Sequence, residues 1–285
     1  MILGTVILIF AVVTSINIFQ VGAVVNIDKS GRVLVGCIGV IILIIGIGMR
    51  LNPPPAQPLN AKSVAKYCYT EGVALYDQGK YQEAESQLSE AVRLDPNNAT
   101  YRNKLGIIIY IQRRYQDAES QHSEAVRLDP NDAEYRDDFG NALYDQGKYQ
   151  EAESQHSEAV RLNPNDAGYR NRLGNDLFSQ RRYQDAESQY REAARLRPKA
   201  GAFYNNIGGS LYWQSKYREA ESQFSEAVRI DPNNAGYRNN LGNTLYKLSR
   251  YREAESQYLE AVRIDPNNTT YRDNLRNSIS SQQNR

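Results

Sequence analysis

Side chains able to do covalent or metal chemistry are scarce in this chain. Its 285 residues hold two histidines, His122 and His156, and two cysteines, Cys37 and Cys68. Four such residues are too few for a disulfide framework or for a site built on cysteine and histidine. The histidines stand in matching surroundings, Gln121-His122-Ser123-Glu124-Ala125 and Gln155-His156-Ser157-Glu158-Ala159. At the same place in other copies of that stretch stand Leu88, Tyr190, Phe224 and Tyr258, all packing residues. The expected role is therefore a half-buried histidine bonded to a neighbour, loosening as it charges near pH 6. No H-E-x-x-H, phosphate-binding loop, G-x-S-x-G or paired cysteines occur. The reading is of a protein that is not an enzyme, with no catalytic residue, no metal and no cofactor.

Charge excludes another class. Lysine and arginine total 34 against 33 acidic residues, a net charge of +1, so no global field draws in nucleic acid or an anionic surface. Arg102, Arg136, Arg170, Arg238 and Arg272 do form a ladder at fixed spacing. Asp137, Asp138 and Asp145 interrupt it, which argues against a basic stripe for nucleic acid.

The elements that carry these residues repeat. Gly72, Gly106, Gly140, Gly174, Gly208 and Gly242 recur at one constant interval, and Pro96, Pro130, Pro164, Pro198, Pro232 and Pro266 keep the same interval. A fixed period of this length is the mark of a stacked repeat array. Each copy reads as two helices. Tyr135, Phe139 and Leu143, evenly spaced at about one helical turn, mark the buried stripe of a first helix. Ala152, His156, Ala159 and Val160 form the apolar face of the second. Asp145-Gln146-Gly147-Lys148 makes the turn between them, Pro164 ends the second helix, and Asn165 and Asp166 can cap the next first helix. Glu158 and Arg161, or Glu226 and Arg229, are solvent-facing pairs on adjacent turns.

Leu-Gly in the first helix occurs as Leu105-Gly106, Leu173-Gly174 and Leu241-Gly242. Each is followed at fixed spacing by one alanine (Ala118, Ala186, Ala254), a second alanine (Ala125, Ala193, Ala261) and then a proline (Pro130, Pro198, Pro266). This pattern resembles the tetratricopeptide repeat. The resemblance covers about Ser63 to Pro266. It implies an all-α fold, a right-handed α-solenoid of six helix pairs. Thr270 to Ile279 is expected as a capping helix, and Ser280 to Arg285 as a frayed end. It also implies that the first helices line a concave groove for an extended peptide or a partner's helix. The positions carried over to that groove are Asn103, Lys104, Asn141, Asn171, Arg172, Asn175, Asn205, Asn206, Tyr212, Asn239, Asn240 and Asn243. An amide offers both donor and acceptor, so a row of asparagines can pair with a peptide backbone without reading its sequence. The large aromatic normally found one turn before the glycine is replaced by the arginine ladder. Tyr101, Tyr135, Tyr169, Phe203 and Tyr237, each just before its arginine position, are expected to take over its packing.

The N-terminal part differs in kind. Residues 2–25 and 33–49 are almost wholly apolar and flank the polar segment Asp28-Lys29-Ser30-Gly31-Arg32. About 20 apolar residues in a helix cross a bilayer, so a transmembrane helical hairpin is expected over residues 1–51. The lack of a basic segment before the first run argues against a cleaved signal. Leu34-Val35-Gly36-Cys37 resembles a lipoprotein box, but Lys29 and Arg32 stand just upstream and Cys37 opens a further apolar run, so Cys37 is expected as a lipid- or helix-facing residue. Asn52 to Pro58, dense in proline, reads as a semi-rigid linker over 52–62. The repeats then occupy 63–268, with the cap and tail at 269–285. Positive charge near the apolar runs leans slightly towards repeats on the cytoplasmic side. The expected protein is a membrane-anchored interaction scaffold whose partners are other proteins or peptide segments, and lipid through the hairpin. The alternatives are an assembly, transport or chaperone-like factor for membrane-protein clients, or a regulatory subunit of a separately encoded enzyme.

Overall fold

The computed structural model describes residues 25–27, 33–35 and 60–283. The chain divides into two compact units, Met1–Leu128 and Asp129–Arg285.

In the first unit, strands β1 (Val25–Ile27) and β2 (Val33–Val35) pair antiparallel, with Val25 opposite Val35 and Ile27 opposite Val33. Helix was expected at Val25 and at Val33–Val35. The β-branched side chains that dominate both segments favour extended backbone instead. The rest of the two expected spans, and the proline-rich linker to residue 59, lie outside the described residues. Among the described residues no helix is long and apolar enough to cross a membrane.

The same unit contains α1 (Ala61–Asp77), α2 (Tyr81–Leu94), α3 (Ala99–Ile111) and α4 (Tyr115–Leu128). Ala65, Cys68, Ala91 and Tyr101 form a buried cluster, where Tyr101 stacks on Tyr69 with ring centroids 4.8 Å apart. Tyr101 thus packs as expected of the aromatic beside the arginine ladder.

The second unit is wholly helical among its described residues. It comprises α5 (Ala133–Asp145), α6 (Tyr149–Leu162), α7 (Ala167–Ser179), α8 (Tyr183–Leu196), α9 (Gly201–Trp213), α10 (Tyr217–Ile230), α11 (Ala235–Lys247), α12 (Tyr251–Ile264) and α13 (Thr269–Gln283). Six helix pairs and one closing helix therefore make up the described array. The closing helix runs to Gln283, past the expected frayed end at Ser280, because its last turn is held. Ser281 Oγ lies 2.9 Å from the Tyr246 hydroxyl, and Gln282 donates to Glu255.

Local chemistry sets the boundaries. Asp132 accepts from the backbone N–H of Glu134 and Tyr135 at 2.8 and 3.1 Å, and Asp166 from Gly168 and Tyr169 at 2.7 and 3.1 Å. Each cap stabilises its helix by about 1 kcal/mol. The second helices stop two residues before proline rather than at it. Asn163, which precedes Pro164, has φ −133° and ψ 82°, because proline's ring disfavours helical backbone in the residue before it.

Within a pair the helices close on the repeated glycine. A Cβ at Gly174 would sit 2.5 Å from Tyr190 Cε1, so only a missing side chain lets the ring seat there. Fully buried alanines, Ala152, Ala186, Ala220 and Ala254, keep the second helices equally close.

The arginine ladder proves to be structural. Arg102 donates to the carbonyl of Pro96 at 2.8 Å, Arg170 to Pro164 and Arg238 to Pro232 at 2.9 Å, and Arg136 to Pro130 at 3.3 Å. The same guanidinium groups reach Gln121, Gln155, Gln189 and Gln257 on the paired second helix. These four arginines brace the corner before each first helix.

Candidate functional site

The asparagines lie at matching heights on successive first helices of the second unit. Asn206 on α9 donates to Asn171 on α7, Asn240 on α11 to Asn205 on α9, and Asn274 on α13 to Asn239 on α11, each at 2.9 Å. The constant period brings equivalent positions side by side, and one further residue completes each bond. A primary amide has two donors and two acceptor lone pairs. Each of these links uses one of either kind, so the half-buried strip keeps capacity for a visitor's backbone.

The remaining asparagines bond side chains within their own helix pair. Asn175 accepts from the Tyr190 hydroxyl at 2.9 Å, and Asn243 from Tyr258 at 2.8 Å. Asn141 donates to Asp137 at 3.4 Å. Two expectations need correction. Asn103 is buried, with its amide oxygen 2.7 Å from His122 Nδ1, and Asn239 is buried under Asn274. Asn103 is held by the histidine of its paired second helix and Asn239 by the closing helix, so these two side chains support the frame rather than face a partner. Lys104 lies 4.6 Å over the Tyr76 ring, and Arg172 pairs with Asp137 at 3.3 Å. Asn103 and Lys104 belong to the first unit, the other ten expected residues to the second.

Beside the strip α7, α9 and α11 frame an open depression of about 520 Å³. Phe178, Tyr212 and Trp213 supply aromatic surface, and Asn205, Asn206 and Asn240 supply amides. Tyr212 is half-buried, while Trp213 is 60% exposed, stacked near Tyr183 with centroids 6.0 Å apart. All these groups are uncharged.

A family model described as the C-terminal domain of cilia and flagella-associated protein 70 matches residues 61–203, just over half of the chain, and a tetratricopeptide repeat model matches 199–267. The chain belongs to the tetratricopeptide repeat family. No curated protein matches it significantly. Among solved structures, it is similar to PilF of Pseudomonas aeruginosa (TM-score 0.63, 19% identity, covering 75% of this chain and 97% of that one). It is also similar to YrrB, described as a TPR protein with an unusual peptide-binding site (TM-score 0.55, 20% identity, 65% and 95%). The third is MamA (TM-score 0.57, 23% identity, 61% and 95%). At these identities the likeness concerns the fold.

One constellation in the tetratricopeptide frame was not anticipated. His156 on α6 is bound on one side by Asp176 of α7, 2.6 Å from Nδ1, and faces Asp137 of α5, 3.9 Å from Nε2. All three are buried rather than half-buried, and Asp137 Oδ1, His156 Nε2 and Asp176 Oδ1 have no hydrogen-bond partner. Burial pushes both carboxyls above the usual range, while His156 draws both down and Arg172 also lowers Asp137. His122 shares the depth but not the charge: burial alone lowers its pKa from 6.5 to about 4. The signal for this cluster was available in the sequence, where Asp137 and Asp176 stand in the first helices before and after His156. Among the described residues no group of ligands could hold a metal ion.

Proposed function

We propose that the chain is a scaffold that binds other proteins, holding an extended peptide or a partner's helix along the first helices of its second unit. The observation that carries this reading is the strip of amides linking Asn171, Asn206, Asn205 and Asn240 across neighbouring helices. It presents spare donors and acceptors beside exposed aromatic surface and no net charge, a combination suited to backbone pairing and apolar side chains. YrrB's description as peptide-binding is consistent with such a use of this fold. The apolar runs 2–25 and 33–49 further support anchoring to a membrane, with the repeats on the cytoplasmic side.

The decisive experiment compares partners recovered by the full chain and by a variant with Asn171, Asn206 and Asn240 changed to alanine. The reading expects partners lost from the variant while its helix content is retained. Equal recovery of the same partners by both sinks it. Protease accessibility of the repeats in sealed membranes tests the anchor and its orientation.

A further inference from the structure

The second unit contains an internal comparison that isolates one repeat. In the pairs α7/α8 and α11/α12 the residue after the conserved glycine is asparagine, and it accepts from a tyrosine hydroxyl: Tyr190 to Asn175 at 2.9 Å, Tyr258 to Asn243 at 2.8 Å. In the pair between them both partners change together. Phe224 has no hydroxyl to give, and Gly209 has no amide to receive one.

Packing does not require that glycine. A Cβ at Gly209 would meet only Phe178 Cε2, at 3.9 Å, an ordinary contact. Its neighbour Gly208 differs, since a Cβ there would lie 2.9 Å from the Phe224 ring. Glycine inside a helix costs stability relative to alanine. What Gly209 supplies in return is open space. It sits in the depression of about 520 Å³, whose floor includes Phe224 and whose sides include Phe178, Tyr212 and Trp213. No acidic or basic residue lines it; its polar groups are asparagine amides and the polar tips of Tyr190, Tyr212 and Trp213.

We propose that the notch at Gly209 is a specificity pocket for one uncharged apolar side chain, aromatic or branched aliphatic, of an extended peptide from a partner protein. The aromatic floor removes that side chain from water, and the amide rim pairs with the peptide groups on either side of it. A charged side chain would lose its hydration there without gaining a counter-charge. This rests on the reading of the face as a peptide-binding surface and adds to it the chemistry of one subsite.

The chain's single tryptophan, Trp213, lines the pocket and serves as a reporter. The indole N–H resonance of the full chain is followed while N-acetyl-L-phenylalaninamide or the amide of N-acetyl-L-glutamate is added. The expected result is a saturable shift with the first and none with the second. Gly209→Asn should weaken binding of the phenylalanine probe about tenfold, the scale on which filled apolar pockets discriminate. The double variant Gly209→Asn/Phe224→Tyr, which rebuilds the neighbours' hydrogen-bonded pair, should weaken it equally and guards against a fault in folding. A missing shift, an equal response to the glutamate probe, or undiminished binding by the double variant overturns the pocket. If partner recovery needs the asparagine strip while the double variant binds the probe normally, the pocket fails and the peptide-binding reading stands. If the probe result holds but partner recovery ignores the strip, the apolar pocket stands and the peptide-binding reading fails.

Discussion

Two sites in this protein share almost all of their local sequence and differ in chemistry. Tyr115–Leu128 and Tyr149–Leu162 are identical except for Asp117 against Glu151, and both place a buried histidine against a first-helix glycine. Yet His122 Nδ1 lies 2.7 Å from the amide oxygen of Asn103, whereas His156 Nδ1 lies 2.6 Å from a carboxyl oxygen of Asp176, with Asp137 facing its other nitrogen. The cause lies outside the second helix. At one position of the preceding first helix stands Asn103 in one case and Asp137 in the other, and the following first helix supplies Asp176 to His156. The second helices build a constant socket, and single edits in the first helices decide whether its occupant meets an amide or carboxyl groups.

The largest expected effect separates the sites by deletion. His156→Ala strips the shared partner from two buried carboxyls, and removing one member of a buried charged pair costs about 3–5 kcal/mol. His122→Ala takes the histidine from the Asn103 amide oxygen and opens a cavity, for which about 2–3 kcal/mol is expected. Native-state hydrogen exchange of the amides of α6 and α4, each measured in its own variant, reads the two losses locally. Equal losses would mean that the charge around His156 is energetically silent.

Acid should separate them next. The pKa of His122 falls from 6.5 to about 4 on burial, so between those values the unfolded chain binds a proton that the folded chain refuses. Stability from this site is thus fully present above pH 6.5 and is lost as the pH falls towards 4. The loss is roughly 3 kcal/mol at about 1.36 kcal/mol per pKa unit. His122→Leu should flatten the dependence of urea midpoints on pH across that window. An unchanged slope in the variant would assign the acid sensitivity to other groups.

How far this was legible beforehand follows from what is periodic. The helix pairs, the closing helix and the packing of Tyr101 could be read from the constant repeat spacing, because periodic burial is a local constraint copied six times. The bonds of Arg102, Arg136, Arg170 and Arg238 could not: whether a guanidinium meets solvent or the carbonyl of the preceding proline depends on how the corner is folded. Asn103 and Asn239 were misread for a related reason. Asn171 and Asn205 stand at the same repeat position and are half-buried, so the difference lies in the neighbour each side chain meets, His122 for Asn103 and Asn274 for Asn239. The pocket at Gly209 was legible in principle, since Gly208-Gly209 stands where neighbouring repeats have Gly-Asn, but the matching loss of a hydroxyl at Phe224 becomes meaningful only once the two are seen to touch.

The smallest effect is the sharpest test of the comparison, because it converts one site towards the other without removing anything. Asn103→Asp places a carboxylate beside His122 at the position where His156 has Asp137. Asn103 Oδ1 already lies 2.7 Å from His122 Nδ1, so the new group needs no rearrangement to accept the imidazolium proton. Desolvation would still oppose the charge on His122, but an opposite charge at that distance favours it by about one to three pKa units. The His122 pKa should therefore rise from about 4 by at least ~1 unit, read from its Cε1–H chemical shift in an NMR titration. The folded and unfolded values then approach one another, and the pH dependence of stability from His122 should shrink accordingly. A His122 titration that stays where it was would show that the depth of the socket, and not the residue supplied by the first helix, controls the protonation of its histidine.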